Sequence, residues 1–211
     1  MPDRAVLFID GNNWYHSLVG IGLTELRRMD YRNISKKLVG PREWIGTRYY
    51  IGQVQQKGNR QLYADQRRFL AALRKTDPRI STDLGRLESR LLKNEAAAEL
   101  KQYLSNLPVR IDSNVFHELM DLARRHGSTQ VMVEKAVDVM LTVDLVRMSE
   151  RGEFDAAYLL SADGDYTPAV EAARETGKKV YAVSPAYGAQ LASVADSFIR
   201  LDPDWFSDCY P

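Results

Sequence analysis

A chain of 211 residues, 45% hydrophobic and 27% charged, is long enough to bury a core without cross-links and suits one domain. Its apolar runs are a handful of residues, far short of the ~20 that a membrane helix needs, and its single cysteine, Cys209, excludes a disulfide framework or a multi-thiolate metal site. The net charge of +1 hides a split: residues 1–110 carry 20 Lys and Arg against 11 Asp and Glu, and residues 111–211 carry 9 against 17.

Residues 4–9 form a short apolar run that ends at Asp10-Gly11-Asn12-Asn13, as a buried strand running into a turn and helix would. Residues 31–39 carry a helical pattern closed by Gly40-Pro41. Residues 44–54, rich in Ile, Val, Thr and aromatics, read as the second strand. Leu62, Phe69, Leu70 and Leu73 give residues 59–75 helical spacing, with Asp77-Pro78 as the stop. A third strand is expected within 80–91. Two helices follow, 93–105 and 114–125, then a short extended run at 130–133. A helix over 135–149 has Gly152 in the usual left-handed position past its end. Beyond it come a strand (156–161), a helix (167–175), a strand (179–183), a helix (187–196) and a last strand (198–201). Strands alternating with helices imply an α/β fold with a parallel sheet covered on both faces. With no apolar leader behind Met1, the expected compartment is the cytoplasm.

Ligands of open parallel sheets sit beyond the carboxyl ends of the strands, which directs attention to Asp10, Asp163 and Asp165. Each also suits helix capping, although Thr167-Pro168 already supplies a helix start for the second loop. Asp138 stands among Val137, Val139, Met140, Leu141, Val143, Leu145 and Val146, the pattern of a helix buried on most sides. A carboxylate there is paired with Lys135, protonated or bound to a cation, because an unpaired buried charge is costly. Several carboxylates meeting at one sheet end repel one another unless a divalent cation neutralises them, and all-oxygen ligation favours Mg²⁺ or Mn²⁺. The sequence has no P-loop, no Rossmann glycine fingerprint and no Gly-x-Ser-x-Gly elbow. His16, His117 and His126 are the only histidines, and acid–base chemistry by histidine is not expected.

Three segments in order, Phe8-Ile9-Asp10-Gly11-Asn12-Asn13, Glu134-Lys135-Ala136-Val137-Asp138-Val139 and Leu160-Ser161-Ala162-Asp163-Gly164-Asp165-Tyr166-Thr167-Pro168, resemble the NYN domain of the PIN-like nuclease superfamily, and within it the LabA-like branch. The resemblance implies a PIN-like (Rossmannoid) parallel sheet with helices on both faces, a single domain over residues 1–211 and a helical insertion at 93–126. It also implies a metal-dependent ribonuclease site. Asp10, Asp138, Asp163 and Asp165 would then form the acidic cluster that holds Mg²⁺ or Mn²⁺, Asn13 would orient a ligand or water, and Ser161 would support the last loop. The family more often has Gly where Ala136 and Ala162 stand.

RNA, single-stranded by preference, would approach along a basic rim. Arg42, Arg48, Lys57, Arg60, Arg67 and Arg68 lie around the second strand and the next helix, interleaved with Tyr49, Tyr50 and Tyr63. Cationic groups hold phosphates and aromatics stack on unpaired bases; alternation along a strand makes Tyr49 or Tyr50 a core residue. Lys135 is a further candidate for RNA contact, and a second copy of the chain a further candidate partner. Two other functions compete with hydrolysis of RNA: a binding module without turnover, and a metal-dependent phosphohydrolase acting on small nucleotides.

Overall fold

The computed structural model describes residues 2–56, 59–107 and 112–210, and the side chains of 88–91 and 129–134 lie outside that description. Lys57, expected on the basic rim, falls outside it too. The chain forms two compact units, residues 1–86 with 135–211, and residues 87–134. The first unit begins with β1 (Arg4–Asp10), α1 (Gly11–Gly20), α2 (Tyr31–Val39), β2 (Glu43–Gln53), α3 (Arg60–Thr76) and the inner part of β3 (Ile80–Lys93). The second unit holds the outer part of β3, then α4 (Glu95–Ser105), α5 (Ser113–Arg125) and β4 (Ser128–Lys135), which neighbours β3. The two helices expected within 93–126 lie in this unit, flanked by strand segments. The chain completes the first unit with α6 (Val137–Glu150), β5 (Ala156–Leu160), α7 (Thr167–Glu175), β6 (Lys179–Ser184), α8 (Ala189–Val194) and β7 (Ser197–Arg200).

In the first unit the strands run β3-β2-β1-β5-β6-β7, and every neighbouring pair among them is parallel. The α/β class expected of a PIN-like fold is therefore present. From β1 the chain builds outward to β3, then returns to the other side of β1 and builds outward again. The strand order reverses between β1 and β5, which is where open sheets place their ligand crevice.

β1 is central because it has no polar face. Every residue from Ala5 to Asp10 is buried. Ala5, Leu7 and Ile9 pack with Trp14, Leu18 and Ile34 on one side of the sheet. Val6 and Phe8 pack with Tyr50, Val137, Leu141, Leu145 and Val170 on the other. Such burial on both faces marks a parallel sheet sandwiched between helices.

α6 differs from expectation. Its buried stripe is Val137, Leu141, Leu145 and Met148, whereas Val139 and Val143 are exposed and so is Asp138. The helix lies on one sheet face and turns its other side to solvent, so its apolar content overstates its burial. Asp138 borders the stripe without entering it. Gly152, with φ of 63°, ends the helix as its sequence position implied.

Candidate active site

Asp10 closes β1 and caps α1: its Oδ1 accepts from the backbone N–H of Asn13 at 3.0 Å. The side chain is only 4% exposed. Its second oxygen, Oδ2, lies 3.0 Å from the hydroxyl of Tyr166, and the same hydroxyl lies 3.0 Å from Oδ1 of Asp138. Two carboxylate oxygens, one from the end of β1 and one from the first turn of α6, therefore stand no farther apart than twice that distance. A phenol has one proton and can donate to one of them at a time.

Burial is the main cause that lifts the Asp10 carboxyl above the usual carboxylate range. The Asn13 amide and the Tyr166 hydroxyl pull it down, while the charges of Asp138 and Asp163 push it further up. Tyr166 is fully buried, and burial followed by the charges of Asp10 and Asp138 raises its own pKa well above the ordinary phenol range.

Asp163 approaches from the end of β5, near enough for its charge to act on Asp10. It caps the short 3-10 turn Gly164–Tyr166, accepting from the backbone N–H of Asp165 at 3.0 Å, and the hydroxyl of buried Ser161 accepts from the Asp163 backbone N–H at 3.1 Å. Asn13 braces the two loops against each other, its Oδ1 accepting from the backbone N–H of Ala162 at 3.0 Å. Asp165 is exposed, and its contact with the cluster runs through its backbone.

Among the described residues, no three His, Cys, Asp or Glu side chains converge closely enough to hold a metal ion as they stand. The Asp10–Asp138 pair nonetheless suits a hard cation. Both ligands are carboxylate oxygens, and one of the two faces the shared hydroxyl without its proton. Mg²⁺ is commonly held by one or two carboxylates, with water and substrate oxygens filling its other positions.

The structure redraws the basic rim. Tyr49 and Tyr50 are both buried, on opposite sheet faces, so neither can stack on a base. Arg48 pairs with Asp144 at 2.8 Å, and the Tyr50 hydroxyl donates to the same carboxylate oxygen, also at 2.8 Å. Arg42 precedes β2, at the end of the sheet away from Asp10, and donates to the hydroxyls of Tyr158 and Tyr181 at 2.9 Å each. Arg42 thus lies at the sheet end opposite the expected rim, and Arg48 is held by Asp144. Arg60, Arg67 and Arg68 are exposed on α3. Arg67 stacks over Tyr63 at 5.7 Å, and Arg68 reaches Asp65 at 3.2 Å. Gln66 fixes this helix to the end of β2, donating to the Gly52 carbonyl at 2.8 Å and accepting from the Val54 N–H at 2.9 Å. Lys135 is half-buried at the end of β4.

Tyr166 is the residue that sequence reasoning missed. An aromatic following a strand-end turn reads as core, which its ring is, and nothing local indicates that its hydroxyl meets carboxylates 156 and 28 residues away.

Ala136 enters α6 in the left-handed region, with φ of 70° and ψ of −5°. That conformation costs a residue with a Cβ roughly 1–2 kcal/mol, and Gly returns about half of the gain through its freer unfolded state. Ala136→Gly should therefore stabilise the protein by about 0.5–1 kcal/mol, read as a higher urea midpoint at unchanged slope.

The sequence model of the NYN domain matches residues 65–202. The chain belongs to the NYN domain family. That family sits in the PIN-like superfamily and its members are in general nucleases. The matched span contains Asp138, Asp163 and Asp165, whereas Asp10 and Asn13 precede it. Among curated relatives of this NYN protein, the uncharacterized protein MJ0482 of Methanocaldococcus jannaschii is 30% identical over 74 residues, 34% of this chain and 31% of that protein. The matched region thus spans about a third of that relative's length. A crystal structure of a protein of unknown function, VPA0982 from Vibrio parahaemolyticus, shares the fold with a TM-score of 0.60 at 17% identity, over 96% of this chain and 95% of the other. No helix among the described residues is long and apolar enough to cross a membrane.

Proposed function

We propose that the protein is an Mg²⁺- or Mn²⁺-dependent endoribonuclease of the LabA-like branch, acting on single-stranded RNA in the cytoplasm. The observation that carries this reading is the meeting of Asp10 and Asp138 at one hydroxyl, at the point where the strand order reverses. Asp10 and Asp138 would hold the cation, with Asp163 close enough to add its charge. When bound, the cation neutralises the carboxylates and polarises a phosphoryl oxygen toward attack by water. Tyr166 sets the spacing of the two carboxylates. Asn13 keeps the two strand-end loops in register and Ser161 holds the shape of the second, so that a scissile phosphate meets the same oxygens each time. Arg60, Arg67 and Arg68, near the adjacent β2 end, would hold neighbouring phosphates.

Labelled single-stranded RNA incubated with the protein and Mn²⁺ should be cut internally, and EDTA should stop the cutting. RNA that stays intact in Mn²⁺ but is bound by the protein would instead identify a binding module. Replacing Arg67 and Arg68 together by Ala should weaken RNA binding. It should also lower the slope of log affinity against log salt by about 0.7 for each phosphate that the two arginines neutralise in the wild type. An unchanged slope would assign both arginines to a solvated helix face.

A further inference from the structure

The rim beside Asp163 carries an aromatic ring that the hydrolytic chemistry leaves unused. β6 ends at Ser184, whose hydroxyl lies 3.4 Å from that of Ser17 in α1 and accepts from the backbone N–H of Ala186 at 3.2 Å. The loop then presses onto the β5 loop. A Cβ on Gly188 would stand 2.6 Å from the carbonyl oxygen and 3.0 Å from the Cα of Ala162, the residue before Asp163. The side chain of Gln190, in α8, closes over Gly164, the residue after Asp163. Two glycines thus let the β6–α8 segment straddle Asp163, and Tyr187 is the residue next to the first contact.

Tyr187 is 64% exposed, although its backbone is fixed on either side. Its ring meets Phe198 of β7 edge-on, with centroids 5.5 Å apart and planes at 68°, and Phe198 is itself packed against the core. The ring is therefore held in place with most of its surface facing solvent, one loop away from the carboxylates. A rigid, exposed ring at this position suits an unpaired nucleobase, since every base has a π-face and stacking does not require hydrogen-bond readout. We propose that Tyr187 is the stacking platform for a base of single-stranded nucleic acid whose backbone lies over the Asp10–Asp138 pair. This inference rests on the ribonuclease reading above and supplies it with a base-binding subsite.

Binding of a labelled oligouridylate, measured by anisotropy in EDTA so that nothing is cut, tests it with the whole chain. Tyr187→Ala should bind the strand about 5- to 150-fold more weakly, the range that follows from loss of one stacked base. The salt slope should stay at its wild-type value, since the ring neutralises no phosphate. Tyr187→Phe should bind within about twofold of wild type, because stacking needs the ring and not the hydroxyl. A strand of equal length with abasic sugars should bind wild type and Tyr187→Ala alike. Equal affinity of Tyr187→Ala and wild type for the intact strand would overturn the platform, and so would an equal loss on the abasic strand. A wild type that binds in EDTA but never cuts in Mn²⁺ removes the nuclease reading alone, and the same titrations still decide the stacking.

Discussion

Asp10→Asn should lose metal-dependent cleavage by about a hundredfold or more, the equivalent of ~3 kcal/mol of charge stabilisation, while the protein melts at or above the wild-type temperature. The shape and the cap survive, because Asn accepts from the Asn13 N–H nearly as well as Asp does. The charge is what disappears. The Asp10 carboxyl titrates above its usual range, chiefly through burial, with Asp138 and Asp163 adding to the rise. For an acid whose folded pKa lies above its unfolded value, the folded state binds the proton more tightly, so the ionised group weakens the fold at neutral pH. That penalty is fully present above the raised folded pKa and vanishes below the unfolded value of 3.8. The stability gap between variant and wild type should therefore narrow as pH falls through that window. Cleavage by the variant at the wild-type rate would leave Asp10 as a cap alone.

Gly11→Ala should destabilise the protein by about 2–3 kcal/mol, lowering Tm by ~5–10 °C. A Cβ there would stand 2.7 Å from the Tyr50 carbonyl oxygen and 2.6 Å from the Tyr49 ring. The ring can rotate, but the carbonyl belongs to a strand paired on both edges, with β1 and β3, and cannot swing aside. Better helix propensity at this position offsets at most ~1 kcal/mol. Because Asp10 and Asn13 flank the displaced turn, RNA cleavage should fall along with stability. A melting temperature within a degree of wild type would mean that the strand end yields more easily than its pairing implies.

The alternation of strands and helices was legible because β1 between its charged ends, and β5 throughout, are short apolar runs closed by turn residues. The strand-end rule located Asp10 and Asp163 from the same pattern. α6 was harder to read. Val139 and Val143 are apolar yet exposed, so the hydrophobic count suggested burial all round, and Asp138 was expected in the interior when it stands at a helix edge. Strand alternation likewise separates the faces of Tyr49 and Tyr50 without revealing that both faces are covered. What the sequence withholds altogether is the meeting of groups far apart in the chain. The Tyr166 hydroxyl between Asp10 and Asp138, the Arg48–Asp144 pair and the seat of Gly188 on Ala162 all join segments whose local patterns are silent about one another.

The position of β1 has a bearing on how the molecule comes into being. Within residues 1–211, β1 is made before the other strands, yet it is paired on one side with β2 and on the other with β5, so the growing chain can complete only half of this sheet until residues 156–160 follow. A chain made at roughly 5–20 residues per second carries Asp10 for many seconds before its partners exist. Tyr166 is joined to Asp10 across 156 residues, the kind of non-local closure that slows folding. A nascent or truncated chain that stops short of Tyr166 therefore lacks the hydroxyl at which the two carboxylates meet. The two carboxylates thus gain their shared contact only after α6, β5 and the turn that follows it have been made.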